Sequence, residues 1–123
     1  MIRNLLVMVV MGLMALTIVA CGAAGGGGDG DIRISATDFK YDPGTVTVKA
    51  GAKVKITMAN KGALEHTLIV KDSSGKDLSP KLSVPYGQTK NLEFTAPAAG
   101  AYELVCDIAG HKEQGMLGKL IVQ

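Results

Sequence analysis

The chain has 123 residues, which is enough for one domain with a single hydrophobic core. It carries 13 Lys and Arg against 11 Asp and Glu, a formal net charge of +2, and so lacks the strongly basic balance of a nucleic-acid-binding protein. Its two cysteines, Cys21 and Cys106, lie in such different sequence settings that we predict two separate chemistries for them and not one disulfide.

Residues 1–20 have the pattern of a secretory signal peptide. A short start bearing Arg3 precedes a largely apolar run over residues 5–20, which is somewhat short for a membrane span. Residues 16–22 (LTIVACG) resemble a bacterial lipobox. The resemblance implies cleavage before Cys21 and a lipid on its sulfur, which would anchor an exported protein to the outer face of a bacterial membrane, on the periplasmic or cell-surface side. The alternatives are an ordinary cleaved leader with a free cysteine and an uncleaved anchor.

Residues 21–30 follow the leader and are mostly glycine, with no large side chain to bury. This composition predicts a flexible tether behind the lipidated cysteine, since such a stretch spans roughly 15–20 Å as a random coil. We therefore expect the folded domain over residues 31–123.

Residues 31–123 are predicted to form an all-β domain. The clearest strand is 53–60, where Val54, Ile56 and Met58 alternate with mostly polar residues. Similar runs, separated by turn residues, occur at 32–39, 45–49, 67–70, 89–95, 102–106 and 116–122. About seven to eight short strands favour a β-sandwich or small barrel. No stretch has helical periodicity, and we predict at most one short helical turn, between Asp72 and Pro85.

Three metal-binding side chains follow one another near the C-terminus at five-residue intervals: Cys106, His111 and Met116. Residues on one side of a helix recur every three or four positions, so this spacing predicts a loop between two strands. A thiol, an imidazole and a thioether suit a soft or borderline transition metal, and the thioether favours copper over zinc. His66 is the only histidine upstream and is the candidate fourth donor.

Strand parity permits the four donors to meet at one end of the sandwich. Cys106, Met116 and His66 each continue the apolar alternation of their own strand, so all three are expected to point inward, while His111 reaches in from the loop. Taken singly, each has an ordinary interpretation as a buried apolar residue, a core filler, a hydrogen-bonded strand histidine or a solvated loop residue. Together they use both histidines and the only cysteine of the predicted domain, which favours a metal site. Two imidazoles, one thiolate and a weak axial methionine are the donors of electron-transfer copper.

The same segments resemble the cupredoxins, the family of blue, type 1 copper proteins. Residues 102–106 (YELVC), Gly110-His111 and residues 115–120 (GMLGKL) are similar to the C-terminal ligand loop of that family. The C-x4-H-x4-M spacing is most similar to that of rusticyanin-type and auracyanin-like bacterial blue copper proteins. Residues 39–43 (FKYDP) and 46–51 (VTVKAG) resemble the N-terminal half of the family.

This resemblance covers nearly all of residues 31–123. It implies a Greek-key β-sandwich or barrel that binds one type 1 copper ion. Carried over position by position, it makes His66, Cys106 and His111 the equatorial ligands and Met116 the axial ligand.

Two positions depart from the family pattern, although neither removes a ligand. Thr67 stands where many members have an asparagine that braces the cysteine loop. A threonine hydroxyl can donate one hydrogen bond but cannot bridge two groups as an amide side chain does. Ala109 stands where many members have proline before the Gly-His pair, which leaves the loop less constrained.

The resemblance also implies an electron carrier that cycles between Cu(II) and Cu(I) and is not an enzyme. Electrons would pass through the exposed edge of His111 to redox proteins that dock near it. The expected docking patch is small and apolar, and it comprises Ala63, Leu64, Ile108, Ala109 and Leu117. We expect a monomer that is held at the membrane by the lipid on Cys21 and that binds no nucleic acid.

Two other classes of function compete with this interpretation. A cysteine near a histidine can be a nucleophile and its base, but Met116 would then have no role, and a copper oxidase would need further histidines, which the chain lacks. The stronger competitor is an extracytoplasmic protein that stores or delivers copper with the same site.

Overall fold

The structure, a computed structural model, describes residues 31–123. The predicted signal peptide (1–20), the lipidation at Cys21 and the tether (21–30) lie outside the described residues. No helix in the described range is long and apolar enough to cross a membrane.

The described residues form nine strands and no helix, so the all-β prediction is confirmed. The strands are β1 (Asp31–Thr37), β2 (Lys40–Asp42), β3 (Thr45–Val48), β4 (Lys53–Asn60), β5 (His66–Lys71), β6 (Leu82–Val84), β7 (Thr89–Thr95), β8 (Gly100–Val105) and β9 (Leu117–Val122). They make one sheet in the order β2-β1-β4-β7 and another in the order β3-β9-β8-β5-β6. The β1–β4 and β3–β9 pairs are parallel, and the other neighbours are antiparallel.

Alternating burial explains why these segments form strands with a common core. In β4 the side chains of Val54, Ile56 and Met58 are at most 3% exposed, while their neighbours face outward or lie half-buried. Full burial of a side chain of this size contributes about 1.5–3 kcal/mol to folding. Both sheets supply such residues to a single buried cluster, so the core lies between the sheets.

The strand count exceeds the predicted seven to eight because two strands are only three residues long. β2 pairs antiparallel with β1 after a turn at Asp38 and Phe39, and it lies beyond the strand that the sequence predicted over residues 32–39. β6 pairs antiparallel with β5. Three residues are too few for an alternating pattern to stand out from the flanking loops.

The segment between Asp72 and Pro85, where at most one short helical turn was predicted, contains no helix and is made of turns and β6. Leu82 and Val84 are buried and Ser83 between them is half-buried, which is the period of a strand. Asp72 closes the preceding turn, since its Oδ1 accepts hydrogen bonds from the backbone of Ser74 (2.8 Å) and Lys76 (3.0 Å).

Three strand ends converge where the candidate site lies. β5 begins with His66, β8 ends one residue before Cys106, and β9 begins one residue after Met116. Because β8 lies between β5 and β9 and pairs antiparallel with both, these ends meet at one edge of the sheet.

Candidate metal centre

The four predicted donors are all removed from solvent. His66, Cys106 and Met116 are 0% exposed, and His111 is 6% exposed. Burial of this degree is unusual for histidine unless its ring nitrogens are bound. The environment of each donor therefore has to account for its polar atoms.

The loop between β8 and β9 is closed by its own backbone hydrogen bonds. His111 N donates to Ile108 O, and Met116 N donates to His111 O, both at 3.0 Å. Gly110 (φ +84°) and Gly115 (φ +101°) occupy the left-handed region, which side chains rarely adopt. The two glycines therefore permit the tight turns that bring His111 back toward the strand ends.

The structure brings three of the four donors into one cluster. One ring nitrogen of each histidine and the Cys106 Sγ all lie within 4.8 Å of one another. The Cys106 Sγ is 3.5 Å from the His111 Nδ1. Met116 is buried in the same hydrophobic core as Cys106, and its N–H donates to the His111 carbonyl oxygen. Together these residues place two imidazoles, a thiol and a thioether at one end of the core.

His66 has one ring nitrogen bonded and one left free for a metal. Its Nε2 lies 2.7 Å from Asp38 Oδ1, whereas Nδ1 is buried with no hydrogen-bond partner in the described part of the chain. A carboxylate only accepts, so Nε2 carries the hydrogen and Nδ1 keeps a lone pair. A hydrogen bond from the Ala63 N–H, with a further one from His66, holds the pKa of Asp38 below its usual value, so this carboxyl is ionised at neutral pH. A buried lone pair beside a thiol and a second imidazole fits a metal ion, since leaving it unpaired costs about 1–3 kcal/mol.

The Cys106 sulfur receives its hydrogen bond from the backbone. Thr67 N donates to Sγ at 3.5 Å. The Thr67 Oγ1 also lies 3.4 Å from Sγ, but it is only 2.8 Å from Asp107 Oδ1. A hydroxyl has one hydrogen to donate, and the shorter bond to a charged oxygen is the stronger of the two. The Thr67 hydroxyl therefore orients the residue after the cysteine and does not serve the sulfur itself.

A polar brace of Thr67, Asp107 and Lys81 occupies the place where many family members use asparagine. The β5–β8 register pairs Ile69 with Val105, so two residues further on Thr67 lies opposite Asp107. The Asp107 N–H donates back to the Thr67 Oγ1 at 3.0 Å, and Lys81 Nζ lies 2.5 Å from Asp107 Oδ2. The Lys81 ammonium, followed by the Thr67 hydroxyl, holds the pKa of Asp107 below its usual value. The hydroxyl thus reaches the cysteine loop with the help of two charged residues.

Two aromatic residues from the β1–β2 segment cover the cluster. The Phe39 ring meets the His111 ring edge-on, with centroids 4.9 Å apart, and lies 6.5 Å from that of His66. The Tyr41 hydroxyl is buried and donates to Thr67 O at 2.5 Å. Burial, together with the negative charges of Cys106 and Asp107, raises the pKa of Tyr41, which stays protonated as a donor.

The segment before His66 is held in place by Asn60, a buried polar residue at the end of β4. Its Nδ2 donates to Leu64 O (2.7 Å) and Val84 O (2.9 Å), and its Oδ1 accepts from Gly62 N (3.0 Å). Both amide hydrogens and the amide oxygen of this side chain are therefore bonded, to the loop after β4 and to β6. Residues 61–65 are therefore fixed against β6, and His66 enters β5 at a defined angle.

Exposed apolar side chains lie close to His66 and Met116 in the sequence, at Leu64 and Leu117. Only 6% of His111 is exposed, so its accessible edge is narrow. Leu64 and Leu117 are 46% and 42% exposed. The predicted docking patch is mostly exposed, with only Ile108 half-buried: Ala63, Leu64, Ile108, Ala109 and Leu117.

Several residues of the site were not predicted from the sequence, among them Asp38, Phe39, Lys81 and Asp107. Asp38 and Lys81 act across long sequence separations, and no local pattern marks either of them. Phe39 lay in a segment that resembles the family but had no assigned role. Asp107 carried a usable signal, since it follows Cys106 just as Thr67 follows His66, and antiparallel pairing of the two strands brings such residues together.

Comparisons with known proteins agree with this fold. A family model described as a cupredoxin-like domain matches residues 7–122. Auracyanin-A of Chloroflexus aurantiacus is 28% identical, and the match covers 97% of this chain and 96% of that protein. The copper-resistant cuproprotein CopI of Rubrivivax gelatinosus is 27% identical over 75% of this chain, which spans 66% of the length of CopI.

A solved structure shares the same architecture. Reduced auracyanin from the photosynthetic bacterium Roseiflexus castenholzii superposes with a TM-score of 0.72 at 21% sequence identity, covering 80% of this chain and 99% of that one. At this identity the likeness establishes the fold, and the chemistry of the site has to be argued from the residues themselves.

Proposed function

This chain belongs to the cupredoxin-like family, whose family model matches most of its length, and we propose that it is a blue copper protein that carries single electrons between extracytoplasmic redox partners. The proposal gives the chain an electron-transfer role and no bond chemistry on a substrate. It is supported by the similarity to auracyanin-A over nearly the whole length of both proteins.

One observation carries the proposal. A buried cysteine sulfur and a ring nitrogen from each of two histidines lie within 4.8 Å of one another, and the Nδ1 of His66 has no other partner among the described residues. A nucleophilic cysteine needs only one histidine and leaves the second unexplained. A metal bound by neutral imidazoles and a thiolate uses every one of these atoms.

His66, Cys106, His111 and Met116 are the residues that would hold the copper. Bound copper supplies one-electron chemistry, because it alternates between Cu(II) and Cu(I). The Thr67 N–H supports the negative charge of the thiolate, since it points at Sγ. Burial of all four residues to 6% exposure or less excludes bulk water and restricts their rearrangement when the charge of the site changes.

We propose that partner proteins dock on the apolar patch around His111. Leu64 and Leu117 offer exposed apolar area, and the neighbouring charges are nearly balanced, as in the exposed pair Lys112–Glu103 (3.7 Å). A small apolar contact with little electrostatic steering suits brief, weak encounters. A lipid on Cys21 would keep the protein, as a monomer, close to partners at the outer face of a bacterial membrane.

A second candidate function is copper resistance through binding or delivery of the ion. The observation that favours it is the similarity to a protein named as a copper-resistant cuproprotein. The same donors serve either role, since a site that holds copper reversibly can carry electrons or pass the ion on.

Repeated redox cycling distinguishes the two functions. The copper-loaded protein is reduced and reoxidised over many cycles in the presence of a Cu(I) chelator, while absorbance and bound copper are measured. An electron carrier keeps its copper and recovers its spectrum in each cycle. Loss of copper to the chelator on reduction, with rapid transfer to an apo acceptor protein, would contradict the electron-transfer role and favour delivery.

A further inference from the structure

Asp38 connects the turn between β1 and β2 to the candidate metal centre. One carboxylate oxygen accepts a hydrogen bond from His66 Nε2 (2.7 Å), and the other accepts from Ala63 N (2.9 Å). The carboxylate therefore ties together a buried donor of the site and the backbone of the loop that precedes it. His66 is 0% exposed, whereas the Asp38 side chain remains 28% exposed.

We propose that Asp38 is a positioning residue for the metal centre: its carboxylate holds the His66 ring with the Nδ1 lone pair toward Cys106 and His111, and its negative charge favours the oxidised state of the bound metal. This inference rests on the proposed function and names a determinant of its reduction potential. Nothing in the spacing of the donors predicts it, because Asp38 precedes His66 by 28 positions.

The bond fixes both the tautomer and the rotation of the imidazole. A flip of the ring about the Cβ–Cγ bond would take the Nε2 hydrogen away from its acceptor and leave a C–H facing the Asp38 carboxylate. The other tautomer would leave the carboxylate facing a lone pair. Partners of this kind orient metal-bound histidines and raise their basicity. The carboxylate lies on the side of the ring away from the free Nδ1, and its charge stabilises the more positive of two metal oxidation states.

Gly62 shows that the pair is enclosed. A Cβ added at Gly62 would lie 2.8 Å from His66 Nε2 and closer still to the Asp38 carboxylate. Only a residue without a side chain therefore allows the backbone to pack against this hydrogen bond. Exclusion of water from one side of the bond makes it electrostatically stronger than the same pair in solvent.

The alternative is an ion pair that serves folding alone. Such a pair explains the contact between Asp38 and His66 but leaves the buried Nδ1 without a partner. A core position that needed only stability would be better filled by an apolar side chain. The orphan nitrogen and the carboxylate together indicate a histidine prepared for a metal.

The test uses the full-length protein with Asp38→Asn, Asp38→Ala and a control, Asp31→Asn. Asp31 begins β1 and so lies about 23 Å away at about 3.3 Å per strand residue, where it is exposed and makes one long contact with Lys55. The control removes the same charge without touching His66. Amide NMR spectra show whether each variant is folded. If Asp38→Ala does not fold, the conservative variant Asp38→Asn still tests the effect of the charge.

Three readouts are measured: the His66 tautomer in the metal-free protein by ¹⁵N NMR, the Cu(II) dissociation constant and the midpoint potential. We expect the Nε2–H tautomer in the wild type and in Asp38→Asn, whose amide oxygen can still accept, and a mixture of tautomers in Asp38→Ala. Copper affinity should fall about 10–100-fold in Asp38→Ala. In both variants the affinity for Cu(I) relative to Cu(II) should rise about tenfold, which raises the midpoint potential by about 59 mV for one electron.

The outcomes separate this inference from the proposed function. If the wild type forms a blue copper complex but the Asp38 variants match Asp31→Asn in tautomer, affinity and potential, the positioning role is wrong while the proposed function stands. If the wild type binds no copper, the proposed function fails. An unchanged tautomer in metal-free Asp38→Ala would overturn the positioning role even then.

Discussion

Replacement of Thr67 by valine tests whether the polar brace holds the cysteine loop. Valine has nearly the same shape as threonine and suits a strand, so the change removes the hydroxyl and little else. Two bonds disappear: the one that Oγ1 donates to Asp107 Oδ1 (2.8 Å) and the one that it accepts from Asp107 N (3.0 Å).

The expected loss of stability follows from these two bonds. A hydrogen bond to a charged group contributes about 1.5–3 kcal/mol and a neutral one about 0.5–1.5 kcal/mol. Thr67 is 4% exposed, but the Asp107 side chain is 31% exposed, so water replaces part of what is lost. We expect a net loss of about 2 kcal/mol, which for a domain of this size lowers the Tm by roughly 8–16 °C.

The assay is urea unfolding of the metal-free protein, because bound metal would add its own stabilisation. The urea concentration at the unfolding midpoint should fall, while the dependence of the unfolding free energy on urea concentration stays unchanged. Thr57→Val is the matched control: its hydroxyl donates to Asn91 Oδ1 (2.9 Å) on the exposed face of β4, and its loss should stay within about 0.5 kcal/mol. Equal losses in the two variants would refute the brace. The copper-loaded Thr67→Val protein should remain blue, because the Thr67 N–H still reaches the sulfur.

Two further predictions concern the electron path and the pH dependence of stability. His111→Gly should keep copper bound through the remaining donors but slow electron exchange by about tenfold or more in stopped-flow measurements, since the ring nearest the surface is removed; an unchanged rate would place the path elsewhere. Hydrogen bonds from the Ser74 hydroxyl and then the Lys76 N–H hold the pKa of Asp72 below 3.8, so this carboxylate stabilises the fold above the usual aspartate pKa and the contribution is lost as pH falls through the lower folded value. An NMR titration should find a lowered pKa for Asp72 in the wild type and a pKa closer to 3.8 in Ser74→Ala. The same Asp72 pKa in both proteins would exclude the Ser74 hydroxyl as the cause of the shift.

Much of the fold was predictable because strand parity is a local property. The alternation of Val54, Ile56 and Met58 identified β4 and its buried face, and it is confirmed by their burial. The same period predicted that Cys106 and Met116 would be buried, as the structure shows. The short strands β2 and β6 were not predicted, because three residues contain too little periodicity to detect.

The residues that support the donors were not predictable in the same way. Asp38 meets His66 only because β1 and β4 pair in parallel and the loop after β4 returns over the turn after β1. Lys81 meets Asp107 only because β6 pairs with β5. Both contacts depend on the tertiary arrangement, and no spacing in the sequence specifies them. The departure at Thr67 was visible in the sequence, and the position of Asp107 next to Cys106 offered a signal, whereas no sequence pattern marked Lys81.

Addition of Cu(II) to the purified protein shows most directly whether the four donors form a type 1 copper site, with Cys106→Ser as the control. We expect an intense blue charge-transfer band with a narrow copper hyperfine splitting in the wild type, at one copper per chain. Cys106→Ser should show no such band, because the band requires the thiolate. A pale tetragonal Cu(II) spectrum from the wild type, or an equally blue Cys106→Ser protein, would contradict a type 1 copper site.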